Sequence, residues 1–151
     1  MKKSLLISLL LLLISSFSEV YAQYSTEELR SIYISLLQEH DLEGWVDEDG
    51  DVQFEYESKS YFLGVDPNDP EFFRVVMFNI WPIESNLEAS QVVLALDAVN
   101  RAHKVVKGYT IDDNVWLAVE LFISNPTDAS DIFERSLDEL ESAVNTFISE
   151  M

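Results

Sequence analysis

The chain contains no cysteine. That removes disulfide frameworks, thiol redox chemistry, thiolate metal ligands and a lipid-modified N-terminal cysteine in one step. Glycine is scarce, with four in 151 residues. None builds the Gly-rich turn that cradles phosphate or the Gly-x-Ser-x-Gly elbow of a serine nucleophile. Histidine is scarcer still, at His40 and His103 only, and no His-Glu-x-x-His pair occurs. Each histidine falls at the predicted C-terminal end of a helix, where a donor meets free carbonyls. Cations are few: nine Lys and Arg face 28 Asp and Glu. So acidic a chain repels nucleic acid and anionic lipid. With acids this dense any two could be cast as a glycosidase pair, so the carboxylates alone point to no reaction. The reading is a non-enzymatic protein with no catalytic residue, no cofactor and no metal.

One apolar run stands out, and it lies at the N-terminus. Lys2 and Lys3 precede Leu5 to Ile14, which is broken only by Ser8, and Val20-Tyr21-Ala22 follows as a small-x-small cleavage site. These are the three parts of a secretory signal. The apolar core is shorter than the roughly 20 residues a membrane span needs. The expectation is therefore a cleaved signal peptide at 1–22 and a periplasmic or secreted product with no membrane insertion after cleavage. Residues 23–151 then form a single α+β domain, long enough to fold on its core alone. They carry 7 Lys and Arg against 27 Asp and Glu, a net charge of −20. Counterions screen such self-repulsion beyond about 10 Å at 0.1 M salt. The melting temperature is therefore expected to rise between about 10 and about 300 mM NaCl. A flat or falling trend in calorimetry would mean that local pairing already neutralises the charge.

Helical and strand periods alternate along the chain. Ser25 and Glu28 have capping-box spacing, and Leu29, Ile32, Tyr33, Leu36 and Leu37 follow at a 3.6-residue period. Val52, Phe54 and Tyr56 alternate with polar residues, Tyr61 to Val65 is the next strand, and Phe72 to Trp81 is apolar on both faces except at Arg74 and Asn79. That last pattern predicts a central strand, stopped by Pro82. A second capping box, Ser85 to Glu88, opens a helix to about His103. Val105 to Ile111 and Val115 to Ile123 make a hairpin across Asp112-Asp113-Asn114. Thr127 or Asp128 is expected to cap the last helix, with Phe133, Leu137, Leu140, Val144 and Phe147 inward. The fold class is α+β in two layers: a mainly antiparallel sheet and three helices in the order α-β-β-β-α-β-β-α, with a further short strand near Trp45-Val46.

Several residues give this order a family likeness. Trp45 precedes the Asp-rich turn Asp47 to Asp51. Val52-Gln53-Phe54 pairs in pattern with Tyr61-Phe62-Leu63, followed by Phe72-Phe73-Arg74, Ala98-Val99-Asn100 and a closing hairpin with an acidic turn. In these features the chain resembles the YbjN-like proteins, which share the fold of class I type III secretion chaperones. The resemblance spans nearly all of 25–150 and lies in pattern and element order. It implies a small, acidic, dimeric protein without enzymatic activity. The chain departs from those cytosolic chaperones in its export signal.

The acidic run Asp47-Glu48-Asp49-Gly50-Asp51 invites a calcium-loop reading. Such a loop needs Gly at position six and a bidentate acid at position twelve. Counted from Asp47, Gly50 falls at four and Ser58 at twelve. A hairpin turn fits better, with Asp49-Gly50 supplying positive φ.

Two apolar sets are left over once the core is assigned. Phe62, Trp116 and Phe122 alternate away from the inward residues of their strands. Either helix one or helix three covers that face, or it is a patch for a partner. On a helical wheel Ala89, Val92, Val93, Leu96 and Val99 form the inward stripe of the second helix. Leu87, Leu94 and Ala98 lie opposite, beside Gln91 and Arg101, as surface residues or as a two-fold self-contact. The function expected is an exported, chaperone-like protein- or peptide-binding module that forms a homodimer. Leu87, Gln91, Leu94, Ala98, Phe62, Trp116 and Phe122 are its candidate partner-binding residues. The rival is a small exported acidic inhibitor or ligand-binding protein acting on a basic target.

Overall fold

Ser25 opens the first helix, α1 (Thr26–Glu39), by the reciprocal capping its spacing predicts. Its Oγ accepts from the Glu28 N–H at 3.2 Å, and the Glu28 carboxylate accepts from the Ser25 N–H at 2.8 Å. The structure is a computed structural model describing residues 24–151; the signal peptide expected at 1–22, and Gln23, lie outside the described residues. After α1 come β1 (Gly44–Val46), β2 (Val52–Tyr56), β3 (Lys59–Leu63) and β4 (Phe72–Pro82). Then follow helix α2 (Asn86–Ala102), strands β5 (Val106–Ile111) and β6 (Asn114–Phe122), a 3₁₀ turn (Pro126–Asp131) and helix α3 (Phe133–Glu150). The fold is α+β, with one antiparallel six-stranded sheet in the order β1-β2-β3-β4-β6-β5. No described helix is long and apolar enough to cross a membrane.

β4 is an inner strand, paired on both sides, as its two-faced apolar pattern predicts. All three helices lie on one face of the sheet. There Phe54, Tyr61, Phe73, Met77, Val115, Leu117 and Val119 meet Tyr33, Leu37, Val99 and the α3 residues Phe133, Leu140 and Phe147 in one buried core. The expected α3 stripe is buried throughout. Phe54 stacks on Tyr61 at 5.2 Å between centroids, and both belong to a layer closed by Phe133. Aromatic pairs in this geometry add stability beyond their buried area.

Four local expectations are corrected. The second capping box is half made. Ser85 Oγ accepts from the Glu88 N–H, but the Glu88 carboxylate turns to the Trp81 indole N–H at 2.9 Å and the Glu84 N–H at 2.7 Å. The last helix is not capped by Thr127 or Asp128. Pro126 enters a 3₁₀ turn capped by the Asn125 side chain, and α3 begins only at Phe133, without a side-chain cap. In the 47–51 turn only Gly50 has positive φ, at +94°; Asp49 does not. Finally, Val93 is not inward. It is 63% exposed, and Val92, Ala95, Leu96 and Val99 face the core. The buried stripe is centred near Val92; at 3.6 residues per turn Ala95 falls about 60° to one side of it and Val93 about 100° to the other, beyond the edge of the contact.

The β2–β3 turn is one that composition hides. Glu57 and Ser58, both at positive φ (48° and 62°), join the paired residues Tyr56 and Lys59. Two such residues make the turn that matches strand twist, here without the usual Asn-Gly.

Candidate functional site

With the helices all on one side, the other face of the sheet has no element over it among the described residues. Pairing places its residues row by row. Trp45 lies across from Gln53, Gln53 from Phe62, Phe62 from Val76, Val76 from Ala118 and Ala118 from Lys107. Strand alternation then adds Phe72, Arg74 and Phe78 on β4, Trp116, Glu120 and Phe122 on β6, and Tyr109 on β5. Phe62, Val76 and Ala118 are buried beneath Phe78, Tyr109 and Trp116, forming a second, smaller apolar cluster. Phe62 lies 6.0 Å from Trp116 and 5.9 Å from Phe78, and Trp116 lies 5.6 Å from Phe78.

A break in β4 shapes this cluster. Its register with β6 shifts between Met77 and Trp81, and Asn79 takes φ 53°. The bulge lets Ile80 and Trp81 both pack on the helix-side core while Phe78 stays on the open face. Asn79 Oδ1 accepts from the Trp116 indole N–H at 3.2 Å, which fixes the indole over the cluster.

Polar groups cross the middle of the face. Arg74 lies over the Phe62 ring at 5.6 Å and donates from Nη2 to the Tyr109 hydroxyl at 2.7 Å. Its Nε is buried without a hydrogen bond and stands 3.5 Å from Glu120 Oε1 in an ion pair. Lys107 holds the other Glu120 oxygen at 3.3 Å. Both cations are ion-paired to Glu120 within the sheet.

The sequence-predicted sheet residues are therefore only partly brought together. Phe62 and Trp116 touch, but Phe62 is 8% exposed and serves as floor. Phe122 is 79% exposed and packs on Phe72 at the far end of the face, six residues or about 20 Å along β6 from Trp116. Trp45, Phe78 and Tyr109 were not singled out as partner residues. Strand pairing puts them there, and a period-2 reading of β1 and β5 with the correct register would have found them. Leu87, Gln91, Leu94 and Ala98 lie on the outer side of α2, in the opposite layer. Leu87 is 75% and Leu94 70% exposed, while Ala98 is half-buried. The molecule thus carries two separate candidate surfaces.

The acidic turn borders the open face. Asp47, Glu48, Asp49 and Asp51 line one side of a groove of about 390 Å³, opposite Phe62, Phe78 and Trp116. Asp47 Oδ1 is occupied by the Gly50 and Asp51 N–H groups at 2.8 and 2.9 Å, and Arg30 closes the turn from behind by donating to the Gly50 carbonyl. Among the described residues no three His, Cys, Asp or Glu side chains are grouped to hold a metal ion. Asp51 Oδ1 accepts from the Val65 N–H at 2.8 Å. Burial pushes its carboxyl up, against the lowering effects of that bond and of Arg74, and Asp47 and Asp49 add to the rise.

The sign follows from linkage. A carboxyl raised in the folded state favours folding below its unfolded pKa, and that contribution is lost as pH rises through the folded value. Charged at neutral pH, Asp51 therefore works against the fold. Asp51→Asn keeps an acceptor for Val65 and is expected to melt above wild type near pH 7. The gain should shrink on acidification below about pH 4, the ordinary carboxylate range. A lower melting temperature for the variant at pH 7 would show that the charge itself holds the turn.

Neither histidine sits with metal ligands. His40 ends α1, packs on Phe133 at 5.0 Å and meets Glu134 at 3.3 Å. His103 follows α2, with Nε2 3.0 Å from Thr146 Oγ1 and Nδ1 3.4 Å from Glu139. This has the outline of a hydroxyl–imidazole–carboxylate relay. The Thr146 hydroxyl, however, donates to the Ser142 carbonyl within its own helix, so its proton is not offered to the imidazole. The arrangement ties the end of α2 to α3. No family model matches the chain, and no curated protein does either.

Proposed function

We propose that this chain is an exported, non-enzymatic protein- or peptide-binding module of the chaperone-like kind, dimeric through the outer side of α2. Its partner surface is the open face of the sheet. One observation carries this reading. The sheet buries one face under three helices and leaves Trp45, Phe72, Phe78, Tyr109, Trp116 and Phe122 on the other without a covering element among the described residues. An uncovered face with an aromatic cluster at Phe78, Tyr109 and Trp116 and a second aromatic pair, Phe72 and Phe122, at its far end marks an interaction surface on a chain otherwise so charged. Aromatic rings also supply large contact area at little cost in side-chain freedom.

The test uses residues 23–151 and a synthetic peptide of about eight residues alternating phenylalanine and serine, long enough when extended to cross the face. Binding is expected to shift the tryptophan emission, since Trp45 and Trp116 both lie on that face. Trp116→Ala should weaken the binding measured by calorimetry by at least about tenfold, in the range of an aromatic anchor. Binding unchanged in Trp116→Ala would move the site off this face.

A further inference from the structure

The groove beside the acidic turn differs from the rest of the open face in charge. Its floor is aromatic, formed by Phe62, Phe78 and Trp116, and its wall is the four carboxylates Asp47, Glu48, Asp49 and Asp51. Among the described residues none of the four has a Lys, Arg or His within ion-pair distance. Five of the seven Lys and Arg in residues 23–151 are engaged elsewhere. Lys59 is held by Glu141, Arg74 and Lys107 by Glu120, and Arg101 by Asp97. Arg30 is spent on the Gly50 carbonyl. The wall is thus a negative edge without an ion pair of its own beside ring faces, and ring faces are themselves the negative poles of aromatic side chains.

We propose that this groove receives the lysine or arginine side chain of an extended basic segment of a partner protein, with its apolar stem on the rings and its cationic head between the carboxylates. The proposal rests on the reading of the open face as the partner surface and names the partner's chemistry. Three features favour such an occupant over a second copy or a metal ion. Residues 23–151 carry −20, so a second copy brings more repulsion to an acidic rim, whereas a basic segment is complementary to it. A metal ion would have no use for the aromatic floor. It would also compete for an Asp47 oxygen that already accepts two backbone N–H groups. A long cationic side chain uses both parts of the groove, because its stem is apolar and only its tip is charged.

The experiment compares three synthetic peptides of about eight residues on the mature chain, alternating phenylalanine with lysine, serine or glutamate. The lysine peptide is expected to bind about tenfold more tightly than the serine peptide at low salt and to lose that advantage by about 300 mM NaCl; the glutamate peptide should not bind. Glu48 and Asp49 are exposed and free of hydrogen bonds to the turn, so the pair Glu48→Gln with Asp49→Asn should leave the melting temperature near wild type. It should erase the lysine preference while leaving the serine peptide unaffected. Equal binding of lysine and serine peptides, unchanged in that pair, would overturn the cationic assignment and leave the open face standing as a binding surface. Failure of all three peptides would overturn both. A Trp116-dependent dimer in light scattering, or calcium binding sensitive to the Glu48 and Asp49 substitutions without any peptide preference, would assign the groove to a second copy or a cation instead and overturn the proposal.

Discussion

Phe54→Ala is expected to cost about 3–5 kcal/mol of folding stability, the range for removing a large aromatic ring from a packed core. Phe54 is fully buried on β2. It stacks on Tyr61 at 5.2 Å with the planes 17° apart and meets Phe133 of α3 at 5.8 Å. The ring therefore bridges the second strand, the third strand and the last helix, and its loss leaves a void where three elements meet. Tyr61 cannot readily collapse into that void, since its hydroxyl is held by Glu141 at 3.0 Å. Domains of this size are stable by only about 5–15 kcal/mol in total, so the variant should be near the edge of folding. Phe122→Ala is the matched control. At 79% exposure on the open face it should change stability by no more than about 0.5 kcal/mol. Urea unfolding of both variants reads the difference between the two faces of one sheet. A cost for Phe54→Ala below about 1 kcal/mol would mean that this layer is not packed as described.

The two-faced sheet was visible in the sequence because β-strand alternation is a strict period of two. Val52, Phe54 and Tyr56 separate from Gln53 and Glu55 without further information. So do Val115, Leu117 and Val119 from Trp116. Helix α3 was visible for the same kind of reason, at spacings of three and four. What the sequence left open was whether the second face is covered. That depends on the side from which the helices return, and no residue pattern records it. Positions set by a neighbouring element were also hidden. Val93 is apolar, yet only the seating of α2 on the sheet shows that the buried stripe closes through Ala95 and leaves Val93 out. Glu88 has the right spacing to cap α2, yet the indole of Trp81, delivered by the end of β4, claims its carboxylate. The groove was hidden more deeply. Its wall is one hairpin turn and its floor comes from β3, β4 and β6, so it exists only once pairing is known. Its acids read correctly as a hairpin turn, but a turn seen alone does not show the rings it faces.

Leu94→Lys is expected to convert a dimer into a folded monomer. α2 spans Asn86–Ala102, so Leu94 is its midpoint. A two-fold contact centred on the helix would set Leu94 against its own copy, because a point on the symmetry axis meets itself. Leu87 and Leu94 are both largely exposed, and with Val93 they give the helix an outward apolar surface that its own fold does not use. The same side is nearly free of charge. Ser90 and Gln91 lie between the leucines, and the nearest ions, Asp97 and Arg101, are paired to each other at 3.1 Å. With 27 acids in residues 23–151, a side with so little charge lets two copies approach with little repulsion. Two lysines facing each other across the axis would be buried and unpaired, at a cost of several kcal/mol. The substitution is exposed in the monomer, so the fold should survive it, with circular dichroism and melting near wild type. Light scattering should show the wild type as a dimer at about 100 μM, where any association worth more than about 5.5 kcal/mol persists. Raising salt should favour that dimer, because the two bodies repel. A monomeric wild type at that concentration would end the proposal of a dimer through α2. A dimer that survives Leu94→Lys would place the contact elsewhere, and the aromatic face of the sheet would be the next surface to test.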